Sequence, residues 1–562
     1  MKSPKFALLA LVLSSGTAIG QETKLEANGG APCSLFGHSV ALAQGTALVG
    51  ASAASTLGAN SGSAYLFDAE PTSSSYGSQL AQLDATDGVA QDRFGGSVAL
   101  GRGPDGATGP GPLVALVGAA SKSDMAQWSG AAYLFDAQVG SPTYAQELTR
   151  VSPLDGGYYH LFGFSAAMDR GWGAVGAPQA DGVSLNAGAV YIFNTDPNSP
   201  LFGGQLTKLV ATDGATWDGF GSSVSLDGGL ALVGARNDGV NTGSVYLFDV
   251  DPASSSFGLQ LAKWLASDGN TDDLFGYSVA LRAGLALVGA PHDSPVGLYS
   301  GSAYAFDADP ASPGFGSQLH KFWASDGAME REFGSAVALD GGLALIGSRG
   351  DWLGGLTGSA YFFDALPAST SFGQEISVLS ASDGGADDQF GVSVALDGGL
   401  PLVGAMGCVN STLTNGAAYL YTTSYTCDLV NVCIAAPNSA ASGGSHLATG
   451  GSASVSANDL ALYAMDLPPQ QFGIFFYAGM AQVPTPFGNG FLCLYGSMYR
   501  FAPVPTGSVG LGVWFLDINN PPSLSGQITP LSTWWFQFWY RDPLAGGAYY
   551  NLSDALRIRF CY

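Results

Sequence analysis

Aromatic and histidine side chains that interrupt a regular pattern are the residues of this chain best suited to bind a ligand. Seven of them occupy positions that do not repeat along the chain: Trp128, Tyr159, His160, Trp217, His292, Tyr299 and Trp352. Aromatic rings exposed among polar loops stack on sugars or anchor peptides. The sequence therefore predicts a ligand-binding surface at these positions. The alternative is that some of the rings only cover neighbouring loops.

Recurring acids form a second group that could do chemistry. A Ser/Thr-Asp-Gly turn is followed by further acids in several places, and the candidates for cation binding are Asp268, Asp272, Asp273, Asp383, Asp387 and Asp388. Oxygen-only clusters suit Ca²⁺, whereas an Asp before Gly usually bonds the backbone of its own turn. A catalytic carboxylate pair needs one raised pKa and should be singular. Because the pattern recurs, we expect it to be structural and predict no catalytic residue and no metal site.

Two short motifs resemble functional signatures. Gly37-His38-Ser39-Val40-Ala41 imitates a hydrolase nucleophile turn, which requires a strand–turn–helix context. Ser39 is instead one of a series of repeating serines, with Ala336 in the sixth copy. Arg349-Gly350-Asp351 would be a cell-adhesion tripeptide elsewhere, but the corresponding loops contain other residues at these positions. Both motifs are expected to be ordinary repeat residues.

These residues are carried by a long repeat, which determines the expected fold. Phe-Gly pairs begin at Phe36, Phe94, Phe162, Phe220, Phe275, Phe333 and Phe390. Each is followed by Val-Gly-Ala and Gly-Ser-Ala-Tyr-Leu-Phe-Asp or close variants, which give four short strand signals per copy. Internal repeats of this length are typical of solenoids and propellers. Four strands in each of seven copies predict an all-β fold with a seven-bladed β-propeller.

The ring is expected to close through the N-terminal segment. The seventh copy lacks a fourth strand, and Thr23–Gly29 resembles the end of a fourth strand and the turn after it. We therefore predict that the N-terminus supplies the outer strand of blade seven, which removes an exposed sheet edge. Cys33 and Cys408 should then lie in neighbouring loops and form a disulfide.

The cysteine count supports an oxidising compartment. The six cysteines, an even number, favour three disulfides over metal ligation, and they are Cys33, Cys408, Cys427, Cys433, Cys493 and Cys561. After Cys33–Cys408, the pairings left are Cys427–Cys433 and Cys493–Cys561.

The repeat resembles the FG-GAP repeat of the integrin α-subunit propeller, and most closely its compact form in secreted bacterial proteins. The residues that carry the resemblance are Ser-Asp-Gly, Phe-Gly, Ser-Val-Ala-Leu, Val-Gly-Ala and Gly-Ser-Ala-Tyr-Phe. The resemblance runs from about residue 24 to residue 421. It implies ligand recognition on the face that carries the loops between strands two and three and between blades. Integrin-like calcium loops are not matched, because hairpins reading Leu-Asp-Gly-Gly-Leu offer too few oxygens. We therefore predict no cofactor; Ca²⁺ remains open but without support from these loops.

Composition sets limits on partner and location. With 19 Lys and Arg against 44 Asp and Glu, the 562-residue chain has a net charge of −25, which disfavours nucleic acid. Residues 1–20 are predicted to be an export signal, because Lys2 and Lys5 precede an apolar run and a small-residue cleavage site. No later segment is long and apolar enough to predict a transmembrane helix. The chain is expected to be secreted or attached to the cell surface of a bacterium.

The predicted domains are the signal at 1–20, the propeller at 21–425, a cysteine-bearing linker at 426–454 and a β-rich domain at 455–562. The last domain is expected to be a small β-sandwich, because strand signals recur without helical periodicity. Its aromatic run Trp534–Tyr540 could form a carbohydrate-binding stripe, but packing within a sheet is the favoured explanation.

These observations favour a secreted, non-enzymatic recognition or adhesion protein that binds a glycan or protein ligand on the loop face of the propeller. A secreted polysaccharide hydrolase or lyase with its active site at the propeller axis is the alternative, since a fold does not determine function. An enzyme should show unlike polar residues converging in a central pocket, and a binding protein aromatic residues around a rim. A purely structural surface-layer component is a third possibility.

Overall fold

The structure is a computed structural model that describes residues 19–560. It leaves out 72, 105–110, 351–356, 368, 370, 386–387, 408–414, 424–427, 432, 434, 451–452, 454–457, 459, 519–521, 523–525 and 529–531. The chain divides into two compact units between Thr423 and Ser424, two residues before the predicted boundary. Residues 1–18 lie outside the described part, so the export signal stays a prediction.

The first unit consists of seven four-stranded antiparallel sheets, the blades. The strands of blades one to three are β2 (Phe36–Ala43), β3 (Thr46–Ala51), β4 (Ser63–Asp68), β5 (Gln79–Leu83), β6 (Ser97–Arg102), β7 (Leu113–Ala119), β8 (Ala131–Asp136), β9 (Glu147–Val151), β10 (Ser165–Asp169), β11 (Trp172–Ala177), β12 (Ala189–Asn194) and β13 (Gln205–Leu209). Those of blades four to six are β14 (Phe220–Asp227), β15 (Leu230–Ala235), β16 (Ser244–Asp249), β17 (Gln260–Trp264), β18 (Ser278–Arg282), β19 (Leu285–Ala290), β20 (Ser302–Asp307), β21 (Gln318–Phe322), β22 (Phe333–Asp340), β23 (Leu343–Ser348), β24 (Ser359–Asp364) and β25 (Glu375–Leu379). Blade four also contains a short turn, α1 (Asp238–Asn241), in which Gly239, Val240 and Asn241 have positive φ.

Blade seven confirms the predicted closure. It contains β26 (Ser393–Asp397), β27 (Leu400–Ala405), β28 (Ala417–Thr423) and, at its outer edge, β1 (Ile19–Leu25). In the β1–β28 pair Glu22 lies opposite Tyr421 and Leu25 opposite Ala418. The first strands also contact one another in a closed ring, with β2 touching both β6 and β26. The propeller therefore closes by exchanging a strand between the two ends of the repeat region.

The repeat residues hold neighbouring blades together. In blade three the buried Phe162 ring lies 5.6 Å from the Tyr191 ring and 5.7 Å from the Phe193 ring, measured between centroids. The Ser97 hydroxyl of blade two donates to the Gly163 carbonyl of blade three at 2.9 Å. The same bond between blades is made by Ser39, Ser165, Ser223, Ser278 and Ser393. Ser39 is thus a structural residue, as predicted.

The glycine of each Val-Gly-Ala is required by this contact. A Cβ atom at Gly118 would overlap the Gly163 carbonyl oxygen and the Ser97 hydroxyl. The Asp-Gly-Gly hairpins need glycine for a different reason: Gly228 and Gly229 have φ of 60° and 87°, as a tight primed turn demands. The repeated glycines therefore have two roles: in Val-Gly-Ala they let neighbouring blades approach each other closely, and in Asp-Gly-Gly they allow the positive φ angles of a tight turn.

The second unit is a two-sheet β-sandwich. Its larger sheet contains β29 (Asp428–Asn431), β32 (Phe472–Phe487), β33 (Gly490–Arg500), β34 (Val504–Pro505), β36 (Thr533–Arg541) and β37 (Tyr550–Arg559). The smaller one contains β30 (His446–Gly450), β31 (Ala461–Met465) and β35 (Gly512–Phe515). Buried side chains from both sheets, such as Leu462 and Phe538, form one core. Phe536, Phe538 and Tyr540 of the aromatic run are buried in it, which confirms packing as their role.

Two expectations for this unit are wrong. The segment 426–454 is not a linker, because β29 pairs with β37 and β30 pairs with β31. Cys433 is bonded to Cys493, so neither the Cys427–Cys433 nor the Cys493–Cys561 pairing forms. The reason is that Cys433 packs against a hydrophobic cluster formed by side chains of the larger sheet, and this cluster includes Cys493 of β33.

Cys33 is disulfide-bonded, and its predicted partner Cys408 lies outside the described residues together with Cys427 and Cys561. No helix in the described part of the chain is long and apolar enough to cross a membrane.

Candidate functional site

One face of the propeller carries both sets of loops that were expected to bind a ligand. Each loop between strands two and three lies beside the connection to the next blade, and the two are joined by short parallel bridges such as Gly130 with Phe162. In blade two the Tyr159 amide donates to the Gln127 carbonyl at 3.0 Å, and the Phe162 amide to the Ser129 carbonyl at 3.0 Å. We call this side of the ring the loop face.

Two backbone positions in these loops have positive φ in every copy that the structure describes. The first, in the loop between strands two and three, holds Asn60, Trp128, Asn186, Asn241 and Tyr299, with φ from 53° to 61°. The second, three residues before each repeat phenylalanine, holds Cys33, Gln91, Tyr159, Trp217, Asp272 and Glu330, with φ from 61° to 72°. We call them the left-handed loop positions. Asn tolerates this conformation, whereas bulky residues are strained in it.

The loop sets this conformation, not the aromatic side chain. The Trp128 amide donates to the Ser123 hydroxyl at 3.2 Å, and the Asn60 amide makes the same bond with Ser55 at 3.1 Å. The backbone is thus the same whether Asn or Trp occupies the position. An aromatic residue here contributes a projecting ring and brings no advantage to the backbone.

Trp128 and Tyr159 form a pair of rings at the centre of the candidate site. Their centroids are 5.0 Å apart and their planes are nearly perpendicular, at 79°. Trp128 is 43% exposed and Tyr159 is 42% exposed, so each ring leaves a large surface open to solvent. Trp217, at the position equivalent to Tyr159 in the following copy of the repeat, is 56% exposed.

A groove connects these residues. A cavity of about 420 Å³ is lined by Trp128, Tyr159, Leu161 and Gln179, with Arg93 at its side. A second cavity of about 80 Å³ shares Leu161 and Gln179 with it and continues past Trp217, Phe164 and Arg236. Together the two cavities form what we call the loop-face groove, which crosses blades two to four. Its size lies in the range of small-molecule sites.

The groove ends near the axis, where the first strands begin. There the Arg236 guanidinium stacks between Phe164 and Tyr277, at 5.8 and 5.1 Å from the ring centroids. Arg349 covers the same Tyr277 ring at 5.6 Å and donates from Nη1 to the Tyr277 hydroxyl at 3.1 Å. Its Nε donates to the buried Glu332 carboxylate at 2.5 Å. Arginine thus forms an ordered stack with aromatic rings at this end of the groove.

His38 lies in the same region. Its pKa is lowered by burial, with smaller contributions from the positive charges of Arg93 and Arg349. The buried Nδ1 atom of His38 has no hydrogen-bond partner. The imidazole is therefore kept neutral beside two guanidinium groups.

The remaining aromatic and histidine candidates lie elsewhere. His160 is only 7% exposed, its Nδ1 accepts the Gly157 amide at 3.0 Å and closes a turn, and it does not line either cavity. That it binds ligand stays a prediction. His292 and Tyr299 form a separate ring pair, 4.5 Å between centroids, with His292 Nε2 3.9 Å from Glu332. Trp352 lies outside the described residues.

The acidic candidates are engaged in structural bonds. Asp268 accepts from the Tyr304 hydroxyl at 3.0 Å and pairs with Lys321 at 2.6 Å. Asp383 is bonded by Lys24 at 2.7 Å, which lowers the pKa of that carboxyl. Asp272 accepts from Asn241 at 2.8 Å.

Asp273 and Asp388 accept backbone amides of their own turns, each at 2.6 Å, and burial raises the pKa of Asp273. Asp387 lies outside the described residues. In the part of the chain that the structure describes, no cluster of His, Cys, Asp or Glu could hold a metal ion.

Sequence reasoning missed Arg93, Phe164 and Arg236, which line the groove, and Tyr277, whose ring packs on Arg236. Phe164 and Tyr277 directly follow a repeat Phe-Gly, and Arg236 directly follows a repeat Val-Gly-Ala. Arg93 directly precedes Phe94, where other copies have Leu, Gly, Glu or Gln. Aligning the copies and asking which positions differ just outside each conserved motif would have found them.

A comparison with protein families agrees with the repeat architecture of the first unit. The model of a family described as FG-GAP repeat matches residues 19–67, 78–135, 146–193, 204–248, 259–306, 317–363 and 374–421. Among solved structures, the crystal structure of Sqt1 from Chaetomium thermophilum is similar with 14% sequence identity and a TM-score of 0.36, covering 70% of this chain and 88% of that chain. No curated protein sequence matches significantly.

Proposed function

Because the chain belongs to the FG-GAP repeat family, we propose that it is an extracellular recognition protein that binds a glycan or protein ligand in the loop-face groove and does not transform it. The observation that carries this proposal is the occupancy of the left-handed loop positions. Trp128 stands where other blades have Asn or Tyr, and Tyr159 and Trp217 stand where other blades have Cys, Gln, Asp or Glu. Strained bulky residues that the scaffold does not need are characteristic of functional sites.

Location and charge support the same proposal. Disulfides such as Cys433–Cys493 persist mainly outside the cytosol. A net charge of −25 disfavours nucleic acid as the partner. Large aromatic surfaces beside polar groups are the usual anchors for sugars and peptides.

The test is a screen of the purified protein on glycan and peptide arrays, with Trp128→Ala and Trp217→Ala as variants. Trp323 provides a matched control, because it is 47% exposed but does not line the groove. The proposal expects at least one ligand class whose binding falls more than tenfold in both variants and is unchanged in Trp323→Ala. Equal binding by all four proteins would contradict it.

A polysaccharide lyase or hydrolase is the second candidate, favoured by the residues at the axis end of the groove. Tyr277, Arg349, Glu332 and His38 are unlike polar groups in one region, the pattern expected of a catalytic site. Incubation of acidic and neutral polysaccharides with the propeller, followed by detection of new reducing or unsaturated ends, distinguishes the two. Turnover that disappears in Tyr277→Phe would replace the binding proposal.

A further inference from the structure

Most basic side chains of the propeller are neutralised by acids. Nine Lys and Arg residues lie within 4.0 Å of a carboxylate: Lys24, Lys122, Arg150, Arg170, Lys208, Lys263, Arg282, Lys321 and Arg349. This is expected in a chain with more than twice as many acids as bases. A guanidinium without such a partner is therefore an exception here.

Two such exceptions line the loop-face groove. Among the described residues, Arg93 and Arg236 have no carboxylate within ion-pair distance, and each lines one of the two connected cavities. Arg93 is exposed to solvent, and Arg236 is held in place by the rings of Phe164 and Tyr277. The stack fixes the plane of the Arg236 guanidinium and leaves its edge free to donate hydrogen bonds.

The positive charges coincide with the aromatic platform. Trp128 and Tyr159 share the first cavity with Arg93, and Trp217 shares the second with Arg236. Flat apolar surfaces suit the faces of sugar rings, and a guanidinium suits a planar carboxylate, which it binds through two parallel hydrogen bonds. Unpaired positive charge in the groove also reduces the repulsion that the negative net charge of the protein exerts on an acidic ligand.

We propose that the loop-face groove binds an acidic glycan whose uronate carboxylates are recognised by Arg93 and Arg236. This inference rests on the proposed function and adds the ligand class. A glycan is favoured over an acidic peptide because the aromatic surfaces are spread along a groove, at Trp128, Tyr159 and Trp217, and do not form one deep anchor pocket.

The experiment is calorimetric titration of the full chain with an oligouronide and with the same oligosaccharide after reduction of its carboxyl groups. The wild-type protein should bind the acidic form at least tenfold more tightly, and the difference should shrink as salt is added. Arg93→Gln should weaken binding of the acidic form and remove most of this difference. Because Arg93 is exposed, this variant is expected to fold normally, whereas Arg236→Gln also loses ring contacts and serves as the second variant.

Arg170 supplies the matched control. Its side chain is 68% exposed and lies in the β10–β11 hairpin, which the strand order places on the opposite face. Arg170→Gln changes the net charge equally and should leave both affinities unchanged.

Several outcomes would overturn the inference. Recognition of the carboxylate is refuted if both oligosaccharides bind with equal affinity, or if neither Arg93→Gln nor Arg236→Gln has an effect. The groove still stands as a binding site in that case if Trp128→Ala weakens binding. Preferential binding of an acidic peptide refutes the glycan assignment. The proposed function itself fails if Trp128→Ala and Trp217→Ala affect no ligand on either array, or if the protein shows polysaccharide turnover that disappears in Tyr277→Phe.

Discussion

Replacing Trp128 by Asn separates a structural role of this ring from a ligand-binding one. Asn already occupies the same left-handed position in three other blades, at Asn60, Asn186 and Asn241. The substitution therefore keeps a backbone that the repeat demonstrably accepts and removes only the indole. If Trp128 mainly covers neighbouring loops, the fold should suffer; if it binds ligand, recognition should suffer.

The structure gives the expected size of each effect. Just over half of the Trp128 side chain is buried, so removing it exposes roughly 100 Å² and costs up to ~2.5 kcal/mol at ~25 cal/mol per Å². Relief of strain at positive φ returns about 1 kcal/mol, because Asn tolerates this conformation better than Trp. The unfolding free energy should thus fall by only about 1–2 kcal/mol. If the indole stacks on the ligand, its loss should lower the affinity more than tenfold, which corresponds to about 1.4 kcal/mol or more of binding free energy.

The assay is chemical denaturation of wild type and Trp128→Asn, combined with titration of the ligand identified on the arrays. Phe162→Ala calibrates the structural extreme, because this buried ring packs between two others and its loss should cost ~3–5 kcal/mol. A Trp128→Asn variant as unstable as Phe162→Ala would refute the reasoning. So would a variant that binds ligand as well as wild type.

Three further predictions concern the scaffold. Ala336→Ser should raise the unfolding free energy by about 0.5–1.5 kcal/mol, because serines at the equivalent position of the six other blades donate a hydrogen bond to the next blade. Ser97→Ala should lower the unfolding free energy by a similar amount. An unchanged denaturation midpoint in both variants would contradict this. Burial lowers the pKa of His38, so the unfolded state takes up a proton before the folded state does as the pH falls below ~6.5. The stability of the wild type should therefore decrease from pH 7 to pH 5 more steeply than that of His38→Gln. Identical pH profiles from thermal unfolding would count against this. Non-reducing peptide mapping should find Cys33–Cys408 and Cys427–Cys561 beside Cys433–Cys493, because Asp428, which follows Cys427 in the sequence, pairs with Arg559, two residues before Cys561. A Cys33–Cys427 bond would exclude this arrangement.

The propeller could be predicted from sequence because its information is local and repeated. Each blade shows four short strands bounded by turn residues, and the missing fourth strand of the last copy indicates where the ring closes. The serine series was identified as structural for the same reason, and Ser97 shows the bond that explains it. Seven copies of one pattern allow each residue to be compared with its equivalents.

The rest depends on contacts between segments that do not repeat. Disulfide connectivity cannot be deduced from cysteine spacing, and Cys433–Cys493 follows from how β33 packs in the sandwich. His160 resembles an exposed binding residue in sequence, but the turn at Gly157 buries its ring. The stack of Arg236 on Phe164 and Tyr277 joins three blades, and no single copy contains it.

The left-handed loop positions explain how such a regular scaffold can carry a specific site. In four of the five described loops, a hydroxyl or carboxylate earlier in the loop, such as Ser55, Ser123 or Asp181, accepts from the backbone amide at the first of these positions. In blade four a backbone carbonyl accepts from this amide. The side chain at that position is therefore free to change without altering the loop. Where it is Asn the loop face stays polar, and where it is Trp, with Tyr159 beside it, a stacking surface appears. On the proposed function, specificity arises from side chains at positions whose backbone the repeat has already determined, and substitutions there should alter binding at small cost to stability.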